Sequence, residues 1–407
     1  MALERRGEAV VKRNATVLTA SRVVASAAQA LSLILLARLV SPAEFGSLSA
    51  MIAVGTFLVA VLDFGTSPYV LKLRARSRDD PRIATSVFIS RIGTGLSAAL
   101  LVLTWLTGAL GDVSTLVAAL IVAWVTFERL AEMSSAILLA DGRIVWSASC
   151  LVLRRLLPLL LFVGVTAIAP NDEPAVAFAA SLTAGAGAAV CVNALLLRHQ
   201  IAWRVRAPVA TVLRESRHYL SALGSSQARN LEVPLIQAFA DAHTGGLASL
   251  ALRFGQPARL VATSVAQTVL PRISTQVHEA RSTLTQIVIL GVAGTLAGAF
   301  AAAFLPALIP ALVGSDYAGA ILPTQIVVTT AALTSLSAPL GSLLQALDQE
   351  RAVGVNGVVF AIAGIVATIV GAVLGDLTLS ISLISACFIG KTLSLFVMGI
   401  RHAPPEQ

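Results

Sequence analysis

Apolar residues fill long, nearly continuous segments of this chain, and short polar breaks separate them. A membrane-spanning helix needs about 20 mostly apolar residues. Segments that meet this test lie at approximately 15–40, 47–72, 83–110, 115–140, 145–169, 175–198, 219–240, 247–271, 284–313, 318–346, 353–375 and 377–400. Breaks rich in Gly, Pro, Asn and Asp lie between them. The pattern predicts an all-α integral membrane protein of about twelve transmembrane helices.

Composition supports the same class. Hydrophobic residues make up 57% of the 407 residues and charged residues 12%, and the mean hydropathy is +0.85. A soluble domain carries about 25% charged residues. So much apolar surface requires a bilayer, which excludes the soluble classes.

The positions of Lys and Arg predict the orientation. One set of loops and ends carries Arg5, Arg6, Lys12, Arg13, Lys72, Arg74, Arg76, Arg78, Arg82, Arg143, Arg198, Arg204, Arg206, Arg214, Arg217, Arg272, Arg281, Arg351 and Arg401. The alternate loops carry only acids, at Glu44, Asp112, Asp172, Glu173, Asp241, Asp316 and Asp376. The positive-inside rule places the basic side and both termini in the cytoplasm. The net charge of +8 therefore reflects topology, and we predict no nucleic-acid partner.

A long polar segment divides the chain into two sets of six spans. We predict an N-terminal lobe at 1–198, a cytoplasmic connecting segment at 199–218 and a C-terminal lobe at 219–407. A weak repeat at an offset of 200 residues aligns 44–49 (EFGSLS) with 244–249 (TGGLAS). Six plus six helices in one orientation imply a parallel repeat, which is a common transporter plan with a central cavity between the lobes.

Ionisable residues inside the spans carry the functional information, because a charge at mid-bilayer costs several kcal/mol unless it faces a cavity or a partner. Basic groups outnumber acidic ones here, and Arg strongly outnumbers Lys. A guanidinium fork matches phosphate or carboxylate oxygens. We therefore predict anionic head-group binding by Arg22, Arg91, Arg154, Arg155, Arg229, Arg253 and Arg259.

Two structural alternatives apply to these charges. Arg22, Arg91 and Arg38 lie near span ends, from which long side chains reach the interface. The spacing of Arg129 with Glu132, and of Arg229 with Glu232, allows i,i+3 ion pairs on one helix. Ion coupling and structural pairing both stay open for Asp63, Glu128, Glu132 and Glu232, since repulsion between Glu128 and Glu132 could raise a pKa.

Signals for catalysis and cofactors are absent from the sequence. Asp63-Phe64-Gly65 spells a kinase triplet without the accompanying loops, and Gly390-Lys391-Thr392 lacks the first glycine of a phosphate-binding loop, at Ser385. His and Cys spacings suit no metal. Gly294 and Gly298 form a GxxxG that predicts helix packing. We predict neither an enzyme nor a metal or cofactor site.

The N-terminal residues resemble a known family. The long first helix from Asn14 to Leu36, the turn at 37–46 (ARLVSPAEFG), the Asp63-Phe64-Gly65 motif and the basic segment from Lys72 to Arg82 are similar to the O-antigen-type polysaccharide and oligosaccharide flippases. These flippases belong to the multidrug/oligosaccharidyl-lipid/polysaccharide exporter superfamily. The residues 246–251 (GLASLA) resemble the equivalent turn of the second half.

The resemblance implies two six-helix lobes around a cavity that opens alternately to each side. It also implies transport of a polyprenyl-pyrophosphate-linked oligosaccharide from the inner to the outer leaflet of the bacterial plasma membrane, for cell-surface polysaccharide biosynthesis. H⁺ or Na⁺ coupling, and a polysaccharide polymerase or glycosyltransferases as partners, are further implications. An ion-coupled multidrug exporter of the same superfamily and a non-transporting envelope scaffold are the alternatives.

Overall fold

The structure is a computed structural model, and it describes residues 2–168, 173–198, 207–275 and 277–403. The described chain is helical throughout, with no strand among those residues. The α-helices of its first half are α1 Ala2–Leu39, α2 Pro42–Leu62, α3 Thr66–Arg76, α4 Pro81–Leu106, α5 Thr115–Ala140, α6 Ile144–Ile168, α7 Pro174–Leu197 and α8 Val209–Gln227. This confirms the all-α prediction.

The second half continues the pattern with shorter pieces. Its α-helices are α9 Glu232–Phe239, α10 Ala242–Phe254, α11 Gln256–Thr275, α12 Ala280–Ala302, α13 Leu305–Val313, α14 Ile321–Ser335, α15 Ser337–Ala346, α16 Glu350–Val373 and α17 Leu377–His402. Short 3-10 helices lie at Ala228–Leu231, Val277–Glu279 and Ser315–Ala320.

Several predicted single spans are pairs of helices. The second span is α2 plus α3, and the seventh to tenth spans are broken likewise. Two of the breaks have a local cause. Gly255 separates α10 from α11, and Pro306 lies in the first turn of α13, directly after the break from α12. A proline removes one helical hydrogen bond and a glycine weakens helix propensity, so these are the positions where a long apolar segment divides.

Nine helical segments of the described chain are long and apolar enough to cross a membrane. The three predicted spans missing from this set are 115–140, 219–240 and 247–271. These spans carry Glu128, Arg129, Glu132, Arg229, Glu232, Arg253 and Arg259. The first of these spans holds three charged residues close together, and the other two are divided by the breaks before α9 and α11.

The chain forms two compact units. The first comprises Met1–Val40 and Met51–Gly224, and the second comprises Ser41–Ala50 and Ser225–Gln407. The start of α2 thus belongs with the second half of the chain. The predicted lobe boundary at 199–218 stays a prediction, and its residues 199–206 lie outside the described part.

The repeated turns meet within the second unit. A Cβ atom on Gly46 would collide with the Ala242 carbonyl oxygen, and one on Gly246 would collide with the Pro42 carbonyl oxygen. Only glycine allows two helix starts to approach this closely. The weak sequence repeat therefore aligns two segments that lie in contact.

Glycines also set the packing of α12. Gly294 lies against Ala332 and Gly298 against the backbone at Val328, both on α14. Small residues let helix backbones approach, so the predicted packing role of this GxxxG is confirmed.

Candidate functional site

The Asp63-Phe64-Gly65 triplet breaks the second span. Phe64 and Gly65 have φ angles of 53° and 71°, so the chain turns there and α3 begins at Thr66. The Asp63 carboxylate accepts hydrogen bonds from the Thr66 hydroxyl at 2.6 Å and the Ser67 amide at 3.0 Å. Asp63 therefore caps the second helix of a broken span, a role unrelated to a kinase triplet.

Arg129 pairs with this capping carboxylate. Its Nη2 contacts Asp63, and its Nη1 lies 3.0 Å from Glu132 Oε2. The side chains of Arg129 and Asp63 are 5% and 0% exposed, whereas that of Glu132 is 57% exposed. The i,i+3 pair that the spacing allows is thus present, together with a second acid from another helix.

Glu128 pairs with two arginines of α6. Its Oε1 lies 3.2 Å from Arg154 Nη1 and 2.6 Å from Arg155 Nη2. Neither arginine has an acid one turn away on its own helix, and the partner comes from α5 instead. We define the first-unit charge network as Asp63, Glu128, Arg129, Glu132, Arg154 and Arg155; every arginine in it contacts a carboxylate.

Arg229 is the paired cation of the second unit. Its Nε lies 3.2 Å from Glu232 Oε1, which is the second pair that i,i+3 spacing allows. Its guanidinium also lies 3.8 Å from the centre of the Phe388 ring. The aromatic face holds the guanidinium plane by a cation–π contact.

Two more cations act on the same group. The charge of Arg259 on α11 interacts with Arg229 and Glu232, and the charge of Lys391 on α17 interacts with Arg229. Both side chains are half-buried. Within the described residues, neither makes an ion pair, so Arg229 is the one of the three cations that is paired with Glu232.

Arg253 has neutral neighbours. Its Nε lies 3.2 Å from Ser249 Oγ and its Nη2 3.5 Å from Ser49 Oγ. The Phe45 ring centre is 5.9 Å from the guanidinium carbon. Ser49 and Ser249 are equivalent positions of the repeat, so both repeated segments hold one arginine. The described part of the chain gives Arg253 no carboxylate.

Arg22 and Arg91 stand apart from these groups. Both are exposed, Arg22 on α1 and Arg91 on α4, as is Arg38 near the end of α1. The predicted roles of Arg22 and Arg91 in anion binding stay predictions.

The second-unit cations are Arg229, Arg253, Arg259 and Lys391, and we keep that name for them. Among the described residues, Glu232 is the one carboxylate that pairs with any of them, so as a set these residues carry a net positive charge. Buried cations require counter-charge. Guanidinium groups stay charged when they are desolvated, so they provide a binding site for the phosphate oxygens of an anion.

Sequence patterns did not indicate the aromatic neighbours Phe45 and Phe388. The sequence did carry one signal for Phe388, because it lies three residues before Lys391 and so shares a helix face with that cation. Among the described residues, no group of three or more His, Cys, Asp or Glu is arranged to hold a metal ion.

Several solved structures share this fold. A lipid II flippase, MurJ, in an inward closed conformation superposes with a TM-score of 0.76 at 13% identity, over 95% of this chain and 88% of that one. An inward-facing multidrug resistance MATE transporter of the MOP superfamily has a TM-score of 0.67 at 14% identity, over 93% and 94%. At these identities the likeness establishes the fold alone.

A third similar structure is a MOP superfamily transporter from Pyrococcus furiosus. It has a TM-score of 0.60 at 13% identity, over 96% of this chain and 95% of that one, and a reversed polarity of its binding pocket suggested a different function for it. The shared fold confirms the predicted all-α class with about twelve transmembrane helices.

Sequence comparison identifies the family. No curated protein matches the chain. The family model described as polysaccharide biosynthesis protein matches residues 11–277, which is well over half of the sequence. The chain therefore belongs to the polysaccharide biosynthesis protein family.

Proposed function

We propose that the protein is a flippase that moves polyprenyl-pyrophosphate-linked oligosaccharides from the inner to the outer leaflet of the plasma membrane. The observation that carries this proposal is the excess of the second-unit cations over the single acid Glu232. A pyrophosphate supplies the missing negative charge. Membership of the polysaccharide biosynthesis family supports a glycan as the rest of the cargo.

The proposed mechanism uses charge neutralisation. Arg229, Arg253 and Arg259 donate charge-assisted hydrogen bonds to phosphate oxygens, and these bonds are about twice as strong as neutral ones. A neutralised head group crosses the membrane at lower cost, while the prenyl chain stays in lipid. The site is exposed first to one side of the membrane and then to the other. The fold that the chain shares with transporters supports this alternation.

The proposal also assigns orientation and coupling. The basic loops and both termini face the cytoplasm, which the positive-inside rule supports. In the first unit we assign Asp63, Glu128 and Glu132 to structural ion pairs, because each contacts an arginine. An H⁺ or Na⁺ gradient as driving force, and a polymerase or glycosyltransferases as partners, extend the proposal.

An ion-coupled multidrug exporter is the second candidate, and the shared fold with MATE transporters favours it. That function predicts an acidic site that attracts cationic drugs. The second-unit cations have the opposite charge. A non-transporting scaffold, the third candidate, predicts that these cations are dispensable.

Leaflet distribution of prenyl-linked glycans tests the proposal. Cells depleted of the protein are complemented with the wild type, with R253E/R259E, or with R401E, a matched reversal at the exposed end of α17. Each charge reversal against phosphate costs at least about 1.4 kcal/mol, so we expect export to fall at least roughly tenfold in the double variant. Immunoblotting checks that protein levels are equal.

Each outcome separates the candidates. Glycan intermediates that accumulate in the inner leaflet, and that the wild type and R401E clear but R253E/R259E does not, support the flippase and its site. An unchanged distribution with raised sensitivity to cationic dyes supports the drug exporter. An unchanged distribution and unchanged dye sensitivity support the scaffold.

A further inference from the structure

A second cationic site lies at the basic side of the first unit, where α3, the start of α4 and the start of α8 meet. They enclose a cavity of about 440 Å³. Its charged lining consists of Lys72, Arg76, Asp80, Arg82, Arg214 and Glu215. Four of these side chains are basic and two acidic.

Both acids of the cavity are bound to one arginine. Arg82 Nη2 lies 2.7 Å from Asp80 Oδ2, and Arg82 Nη1 lies 2.9 Å from Glu215 Oε2. Tyr69 also donates its hydroxyl hydrogen to Glu215. These bonds keep the carboxylates deprotonated, and the hydrogen bonds from Arg82 and Tyr69 lower the pKa of Asp80 and of Glu215, respectively. Two carboxylates against four cations leave the cavity lining with an excess of positive charge.

Three cations of this cavity make no ion pair within the described residues. Lys72 and Arg76 lie one turn apart on α3, so they share a helix face, and Arg214 projects from α8. All three are exposed. The Lys72 Nζ atom lies 5.9 Å from the centre of the Tyr219 ring. This cation–π contact holds the Lys72 ammonium group in a position where it can bind a ligand.

The position of the cavity relative to the membrane indicates the class of ligand. Asp80 caps α4, and Pro81 begins that membrane-spanning helix. The cavity therefore lies at the level of the lipid head groups, where clusters of Lys and Arg attract anionic lipid.

We propose that Lys72, Arg76 and Arg214 form a binding site for a phosphate group, supplied by the head group of an anionic phospholipid. The ligand ties the start of α8 to the end of α3. This site is separate from the second-unit cations, and its test does not depend on transport.

Titration of the purified full chain in detergent tests the site. The probes are phosphatidylglycerol, phosphatidylcholine with the same acyl chains, and inorganic phosphate. The variant K72Q/R76Q/R214Q is compared with R281Q/R351Q/R401Q, which removes three exposed cations of the second unit. Thermal shift gives apparent affinity, and native mass spectrometry counts the retained lipid molecules.

Each cation near an anionic head group contributes roughly fivefold in affinity. We expect the site variant to bind phosphatidylglycerol at least roughly tenfold more weakly than the wild type, and the control variant to bind it equally well. If inorganic phosphate displaces the lipid, and the protein does not prefer phosphatidylglycerol to phosphatidylcholine, then the same site binds free phosphate. An equal loss in both variants, or a loss in neither, overturns the proposal.

Discussion

In the first unit, every arginine of the charge network contacts a carboxylate, whereas among the second-unit cations only Arg229 does so within the described residues. Both units use arginines and acidic side chains. The difference lies in how many acids each unit provides. Paired charges in a bilayer hold helices together, and unpaired cations bind ligands. The comparison supports a structural role for the arginines of the first-unit charge network and the proposed ligand-binding role for the second-unit cations.

The packing of the two units does not differ in the same way. Each contains a glycine at a helix contact that a Cβ atom would block, Gly93 against Leu62 in the first and Gly246 against Pro42 in the second. Charge pairing therefore distinguishes the first-unit charge network from the second-unit cations, and these close glycine contacts do not.

The largest expected effect comes from breaking the buried pair of the first unit. R129M leaves the Asp63 carboxylate buried without its cation, which costs about 3–5 kcal/mol of unfolding free energy. Thermal unfolding in detergent measures the loss.

Two further variants test this explanation. D63N/R129M keeps the packing but removes the orphaned charge, so it should recover much of the stability. R38M changes an exposed arginine and should leave the transition within about 0.5 kcal/mol of the wild type. An R129M protein as stable as R38M would contradict a structural role for the network.

The next effect should be equal in the two units. G93A and G246A each force a methyl group against a backbone carbonyl, and overpacking of this kind costs about 1–3 kcal/mol. G95A and G354A are the matched controls, since a Cβ atom at either position meets nothing within 4 Å. Thermal unfolding of all four variants compares the units. A loss of stability in only one of G93A and G246A would show that the units also differ in packing.

Removing an acid should have opposite consequences in the two units. E232Q frees Arg229, so the affinity for a soluble prenyl pyrophosphate such as geranyl pyrophosphate should rise by about 0.2–1 kcal/mol, roughly 1.4- to 5-fold. E128Q should lower stability, because Arg154 and Arg155 both lose their partner. Calorimetric titration and thermal unfolding measure the two. Weaker binding by E232Q would mean that Glu232 positions Arg229 for the ligand.

The smallest expected effect is a pH dependence at the basic side of the first unit. Hydrogen bonds lower the pKa of Asp80 and Glu215 in the folded state. Their contribution to stability is therefore present above the unfolded pKa values, about 3.9 and 4.3, and is lost as the pH falls through the lower folded values. The drop in melting temperature between pH 7 and pH 3 should be smaller in D80N/E215Q than in the wild type. An identical drop would contradict these bonds.

The sequence by itself determined the membrane class, the helical architecture and the positions of the intramembrane charges. A span needs about 20 apolar residues, and that requirement is local, so it is readable without a structure. The pairs Arg129–Glu132 and Arg229–Glu232 were readable for the same reason, since three residues separate partners on one helix face.

Only the tertiary structure decided which arginines are paired. Arg154 and Arg155 lie 26 and 27 residues from Glu128 in sequence, and they contact it because α5 packs beside α6. Asp63 meets Arg129 through the break between α2 and α3. Periodicity identifies neighbours on one helix, whereas contact between helices depends on packing. The sequence therefore shows how many charges lie inside the spans, but the distinction between the balanced first-unit charge network and the second-unit cations came from the fold.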